Sequence, residues 1–547
     1  MAKKVIIIGI DGGTWSLLKL FTNSGVMPNL KYLMQNGCWG YLESTIPPVT
    51  GPAWVSFATG KNPGKHGCFD FLLPRGSLRN LKPITSRDIK TITFYEYLSR
   101  FGLKTISINL PVSYPPRDRN NIFITSLMTQ GDNFVFPTEL KNEILELRKY
   151  RIVPNVTLRL EDKIIEYLED IKELEKIRFK CAQKLYAKDW HCFFILFSAT
   201  DWIQHLMFDK LIFQENSSET EVALEVYKQI DDFIGWFIKN MPNDSNLFIL
   251  SDHGFKVYNG IFYLNEFLRR EGFLKIKISE QRDEISPHKF MEAFQKAKKK
   301  RTKIKIKIPY LIKQNLFFLR PFYKIIKKFI PLNMISEFEN YIPDLAQTIC
   351  LCTTPESHAM YINNKKRFQD GIIESHEETK IINRLIDMLK SIKDSEGVPV
   401  FQVLTKNEVY KGQTLENAPD IVLKLNKWWI STHFKNGPLF VDKPANNHDY
   451  QGIFLAFGNN IQKNKQIQNI NIVDIIPTVI HTLEIPVLKD FDGKVIAEIF
   501  VSFQEIEFKD TSLSYEKSSK QRKILEKEKS LTEDEEVKKR LKSLGYL

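Results

Sequence analysis

Three short apolar runs, each closing on an acidic residue, constrain this chain more than any other feature. Val5–Ile8 leads through Gly9 and Ile10 to Asp11; Cys192–Phe197 leads to Asp201; Asn246–Leu250 leads to Asp252 and His253. Uninterrupted runs of this kind suit strands buried on both faces, which is the habit of parallel sheets. Helical stretches separate them, at 27–36, 92–100, 139–148, 161–185, 219–239 and 379–391. Strand–helix alternation predicts an α/β fold: a mainly parallel central sheet covered by helices on both faces. In such sheets ligands gather beyond the carboxyl ends of the strands, where these acids stand.

The segment Ile46–Phe71, IPPVTGPAWVSFATGKNPGKHGCFDF, adds a hydroxyl. Thr50 lies between Pro47-Pro48 and Gly51-Pro52, so the chain turns there before the apolar helical run Ala53–Thr59, which stops at Gly60. A threonine at a helix start is ordinarily a cap. It also faces unsatisfied N–H groups, a setting that favours bound anions and a developing alkoxide. The following Gly60–His66 stretch falls one residue short of a phosphate-binding P-loop and carries His66 where Ser or Thr would hold magnesium. Gly9–Gly13 likewise lacks the spacing of a dinucleotide loop.

Asp201 and His205 are four residues apart, on one face of a helical turn. Asp252 and His253 are adjacent after a strand, and His448 lies in Asn446–Gly452 before another, Ile453–Phe457. With Asp11 and Thr50 the inventory is three carboxylates, three imidazoles and one hydroxyl, enough to ligate two divalent ions of the zinc type, with manganese the alternative. Two such ions activate a nucleophile and clamp a transferring phosphoryl group. Taken singly, each residue also has a plain reading as a turn former, surface or loop residue.

The stretches IIIGIDGGTW, MPNLKYLMQNG, PPVTGPAWVSFATGKNPGKHGCFDF, SATDWIQHLMF, LSDHGF and HDYQGIFLAFG together resemble the alkaline phosphatase superfamily, in its type I phosphodiesterase/nucleotide pyrophosphatase branch. The resemblance implies an alkaline-phosphatase-like core. It implies one metal held by Asp11, Thr50, Asp252 and His253 and another held by Asp201, His205 and His448. Thr50 would be the nucleophile, passing through a covalent phospho- or nucleotidyl-threonine. The implied activity is cleavage of a phosphodiester, pyrophosphate or phosphomonoester of a small-molecule substrate. The alternatives are a phosphomutase, or a membrane-associated binding protein on the same fold without catalysis. Lys61, Lys65 and His66 would be substrate-phosphate or structural groups. One departure stands out: nucleotide pyrophosphatases carry Asn immediately after the HGxxD stretch, and this chain has Phe71. The Cys/Ser-x-Pro-x-Arg pattern of sulfatases is absent at Thr50.

These readings divide the chain into a catalytic core at 1–280 and 345–505, a basic and aromatic insertion at 281–344, and a charged helical tail at 506–547, its end apolar and the rest solvated. The net charge of +13 is local: thirteen Lys or Arg and no acid lie between Lys296 and Lys328. With Phe, Ile and Tyr interleaved, 296–330 suits an anionic membrane surface or an anionic substrate, or a solvated helical face packed on the core. No helix–turn–helix, zinc-finger or RNA-binding signature accompanies it, so a specific nucleic-acid partner is not expected. Six cysteines without CxxC spacing, no apolar run long enough to span a bilayer and no cleavable leader point to the cytoplasm, with peripheral contact at the inner membrane face.

Overall fold

The computed structural model describes residues 3–278, 341–510 and 531–546. Almost all of 281–344, including the 296–330 segment, lies outside the described residues. At its centre is β1 (Lys4–Ile10), whose alternate side chains enter different layers. Ile6, Ile8 and Ile10 face one apolar core and Val5 and Ile7 the other. A strand with no polar face can only sit in the middle of a sheet.

The remaining strands of this sheet are β2 (Cys38–Glu43), β3 (Thr105–Ile108), β4 (Ile122–Ile124), β5 (Val135–Phe136), β6 (Cys192–Phe197), β7 (Ser245–Leu250), β12 (Gln451–Gly458) and β13 (Lys465–Asn471). Among the described residues their order is β13-β2-β12-β7-β1-β6-β3-β4-β5. β1 pairs in parallel with β6 and β7, as do β6 with β3, β3 with β4 and β2 with β13. β12 runs antiparallel to both β2 and β7, and β5 to β4. The sheet is thus mainly parallel with helices on both faces, as expected. β8 (Gly254–Tyr258) and β11 (Ala445–Asp449) form an antiparallel pair beyond the tip of β7. A four-stranded sheet of Cys350–Cys352, Ala359–Ile362, Ile421–Leu425 and Phe401–Thr405 builds a separate core.

The helix α1 starts at Thr50 and not at Ala53: it spans Thr50–Thr59, with Val49 in extended backbone as its cap and Gly60 left-handed at its end. Thr50 therefore caps nothing. Trp54 seats α1 on β1 at Gly9, where a β-carbon would come within 2.8 Å of the indole. Helix α2 (Ile164–Tyr186) and α4 (Ser218–Asn240) cover the opposite face. The single helix expected at 139–148 is two short turns, because Leu140, Ile144 and Leu147 all turn into the core and Ile144 takes an extended backbone to do so.

The strands β9 (Ile276–Ile278) and β10 (Tyr341–Pro343) form an antiparallel ribbon. In the tail, α5 (Leu531–Leu544) packs on the core and is not a solvated helix. Val537, Leu541 and Leu544 are fully buried, each burial worth about 1.5–3 kcal/mol. All six cysteines are buried and unpaired. No helix among the described residues is long and apolar enough to cross a membrane.

Candidate metal and phosphoryl-transfer site

Strand ends deliver the acids. Asp11 follows β1, Asp252 follows β7, and Asp201 lies in the first turn of α3 (Ala199–Ile212) directly after β6. The start of α3 is fixed by a buried acid: the Glu175 carboxylate accepts from the Ser198 and Ala199 N–H groups at 3.0 and 2.9 Å and pairs with Arg178 at 2.5 Å. His448 arrives on β11, laid alongside β8 by the pairing of Phe255 with His448.

The structure gathers all seven expected residues into two adjacent clusters. Asp11, Asp252 and His253 form one, with His253 Nε2 at 3.2 Å from Asp252 and 3.8 Å from Asp11. Thr50 Oγ1 joins it, 3.0 Å from His253 Nε2. Asp201, His205 and His448 form the other: Asp201 Oδ1 lies 3.5 Å from His205 Nε2 and 3.2 Å from His448 Nε2. The rings of His253 and His448 stack at 3.7 Å between centroids, which joins the clusters.

Hydrogen bonds settle the tautomers. His253 Nδ1 faces the Gly254 carbonyl at 3.1 Å and His448 Nδ1 the Pro48 carbonyl at 3.0 Å. A carbonyl only accepts, so each Nδ1 carries the proton and each Nε2 turns a lone pair inward. Thr50 then donates its hydroxyl proton to His253. His205 Nε2 and His448 Nε2 approach to 3.1 Å beside Asp201 Oδ1. Both Asp11 oxygens, Asp201 Oδ1 and Asp252 Oδ2 are buried without a hydrogen-bond partner. Converging buried acceptors of this kind fit a cation.

The charges follow from this crowding. Burial pushes Asp11 far above the usual carboxylate range, aided by Asp252 and Asp201, and raises Asp252 to about 7, aided by Asp201. Burial opposes charge on Asp201 too, but the His205 and His448 imidazoles outweigh it and hold that carboxyl low. Burial lowers His205 to about 3 and also holds His253 well below the ordinary imidazole range. Burial works against charge on His448, but the adjacent Asp201 carboxylate outweighs it and raises the imidazole.

Lys61, Lys65 and His66 lie in structural contacts. Lys61 pairs with Asp490, and Lys65 with Asp492 at 2.6 Å. His66 accepts from the Cys68 N–H and bonds Ser56 at 2.9 Å, and burial lowers its pKa to about 3. Phe71 is buried with its ring against Gly51 in the first turn of α1. Besides Glu175, sequence reasoning missed three buried groups. Glu356 stands 3.9 Å from His448 Nδ1, raised by burial to about 8, and no motif marks it. Tyr546 donates its hydroxyl to Asp201 Oδ2. Its only signal is the apolar spacing Val537, Leu541, Leu544 leading up to it.

The third is Asp70, bonded to Thr354 at 2.5 Å and to its neighbour's N–H at 2.6 Å, with burial raising it to about 7. A raised carboxyl binds its proton more tightly folded than unfolded. Its stabilisation is therefore complete at low pH and is lost as pH climbs from about 4 to 7, at roughly 1.4 kcal/mol per unit crossed. Asp70→Asn cannot ionise. Its unfolding temperature relative to wild type, followed by circular dichroism, is expected to rise from pH 5 to pH 8; an unchanged difference would remove Asp70 from the pH response.

Comparison with known proteins completes the description. A family model described as type I phosphodiesterase / nucleotide pyrophosphatase matches residues 5–451. No curated protein matches the sequence. Among solved structures, phosphonoacetate hydrolase from Sinorhizobium meliloti 1021 in complex with phosphonoformate is similar at 13% identity and a TM-score of 0.52, over 88% of this chain and 95% of that one. Murine ectonucleotide pyrophosphatase/phosphodiesterase 5 matches at 15% identity and a TM-score of 0.47, over 88% of this chain and 96% of that one. The shared architecture is the alkaline-phosphatase-like fold.

Proposed function

Because this chain belongs to the type I phosphodiesterase / nucleotide pyrophosphatase family, whose members are phosphoester hydrolases, we propose that it cleaves small-molecule phosphate esters through Thr50 with the aid of two divalent cations. The observation that carries this reading is the pair of buried ligand clusters, one of which has a threonine hydroxyl 3.0 Å from its histidine. Asp11, Thr50, Asp252 and His253 would hold one cation and Asp201, His205 and His448 the other; oxygen and imidazole donors suit Zn²⁺, with Mn²⁺ the alternative. Bound there, the cations polarise phosphoryl oxygens and lower the pKa of a nearby hydroxyl.

Thr50 Oγ1 loses its proton and attacks phosphorus; the Oγ1–P bond forms as the bond to the leaving oxygen breaks, and that oxygen departs protonated. Water then attacks the phosphothreonine: its oxygen bonds to phosphorus as Oγ1–P breaks, and a proton from that water passes to Thr50 Oγ1. Position in the first turn of α1 directs backbone N–H groups toward the phosphoryl oxygens. Phe71 stands where the nucleotide pyrophosphatases carry an amide donor, which weakens the case for a nucleotide substrate without replacing the phosphodiester or pyrophosphate reading. The 281–344 segment, leaving and returning by the β9–β10 ribbon, is read as an insertion on the catalytic core, and cytoplasmic residence remains part of the proposal.

The test compares bis-p-nitrophenyl phosphate with p-nitrophenyl phosphate in the presence of Zn²⁺ or Mn²⁺. Turnover of the diester at ten times the monoester rate or more is the expected result. Monoester preference would move the assignment to a phosphatase or phosphomutase, and no turnover of either would overturn it.

A further inference from the structure

Asp201 has two oxygens with separate employments. Oδ1 faces His205 Nε2 and His448 Nε2 and has no hydrogen-bond donor, whereas Oδ2 receives the Tyr546 hydroxyl. A carboxylate tethered at neither oxygen turns about its last bond and presents either one. A phenol on Oδ2 removes that freedom and leaves Oδ1 as the atom presented to the cluster. Tyr546 is wholly buried, so water does not compete for the same oxygen. Its ring is itself held, packed 5.2 Å from Phe71 and 5.6 Å from His205 between centroids.

The segment that carries Tyr546 is built in by buried polar contacts as well as apolar ones. Asp534, almost fully buried, accepts from Gln130 at 2.8 Å and pairs with Lys82 at 3.1 Å. Arg540 donates to the Leu127 and Thr129 carbonyls at 2.6 and 2.9 Å, and Arg159 to the Leu544 carbonyl at 2.9 Å. Tyr546 N–H closes the end of α5 on Leu541. A removable plug would not leave so many charged and backbone groups unsatisfied on departure.

We propose that Tyr546 is a positioning residue of the metal centre: its hydroxyl holds Asp201 with Oδ1 toward the cation, and α5 is a permanent part of the site. This rests on the two-cation reading above. Groups that orient a metal's ligands from behind influence affinity by roughly 10- to 100-fold when removed.

The variant is Tyr546→Phe, which keeps the ring on Phe71 and His205 and deletes only the hydroxyl. Metal-free wild type and variant are titrated with Zn²⁺ against a competing chelator, alongside thermal unfolding of both metal-free proteins. The expected result is two Zn²⁺ per chain in each, with one of the two affinities weakened roughly 10- to 100-fold in the variant, the other unchanged, and equal metal-free unfolding temperatures. Two unchanged affinities would overturn the inference. So would a full-length variant that hydrolyses the test ester faster than wild type, since the hydroxyl would then hinder the site and not support it. Wild type that takes up no Zn²⁺ overturns the two-cation reading itself, and the inference with it.

Discussion

Thr50→Ala is expected to lower hydrolysis of both nitrophenyl esters by about 10⁴-fold or more, the scale on which loss of a covalent nucleophile is felt, while Thr50→Ser retains measurable turnover. The geometry makes this a narrow test. Thr50 opens α1 without capping it, its hydroxyl is committed to His253, and alanine is at least as good a helix former, so the fold has little reason to change. Initial rates with saturating Zn²⁺, with the unfolding temperature as control, decide the matter. An alanine variant keeping a tenth of the wild-type rate would exclude a phosphothreonine pathway.

Metal removal carries the second large effect. Four buried carboxylate oxygens lack partners, and the Asp11 and Asp252 carboxyls are driven to keep their protons by burial and by the nearby Asp201 charge. A protein dialysed against chelator is therefore expected to be inactive and to regain activity with Zn²⁺ or Mn²⁺. Its stability should climb as well. Each ion present at a thousand times its dissociation constant adds about 4 kcal/mol, so two add about 8 kcal/mol. For a chain of this length that corresponds to an unfolding temperature higher by about 7 °C. Scanning calorimetry with and without metal measures it, and coincident curves would exclude both ions.

Much of the site was legible because its ligands sit where the alternation of strands and helices puts them. Asp11, Asp201 and Asp252 each follow an apolar run that can only be an inner strand, and such strands end on one side of the sheet. Helical spacing put His205 on one face with Asp201, but the resemblance was needed to single it out as a ligand. His448 did not follow from any local rule: β11 reaches the cluster through antiparallel pairing with β8, a long-range contact, and only the resemblance singled it out. Tyr546 was hidden for a related reason. The tail is so charged that its buried stripe reads as a minor anchor, and nothing local announces that the residue beyond it touches Asp201. The supporting acids Glu175, Asp70 and Glu356 were invisible because an acid becomes a buried partner only through what surrounds it. For Lys61 and Lys65 the sequence left a phosphate-binding and a structural role open, and their pairing with Asp490 and Asp492 is a structural contact that no local pattern announces.

The central place of β1 has a bearing on biosynthesis. Val5 aligns with Cys192 on one side and Asn246 on the other, so β1 leaves the ribosome long before the strands it pairs with. At roughly 5–20 residues per second, those partners follow after about ten to fifty seconds. Throughout that interval a strand of valine and isoleucine keeps both edges open, even though α1, made soon after it, covers one face. Nascent chains of this protein should therefore depend on holding chaperones, and slower translation between residues 10 and 250 should lower the soluble yield.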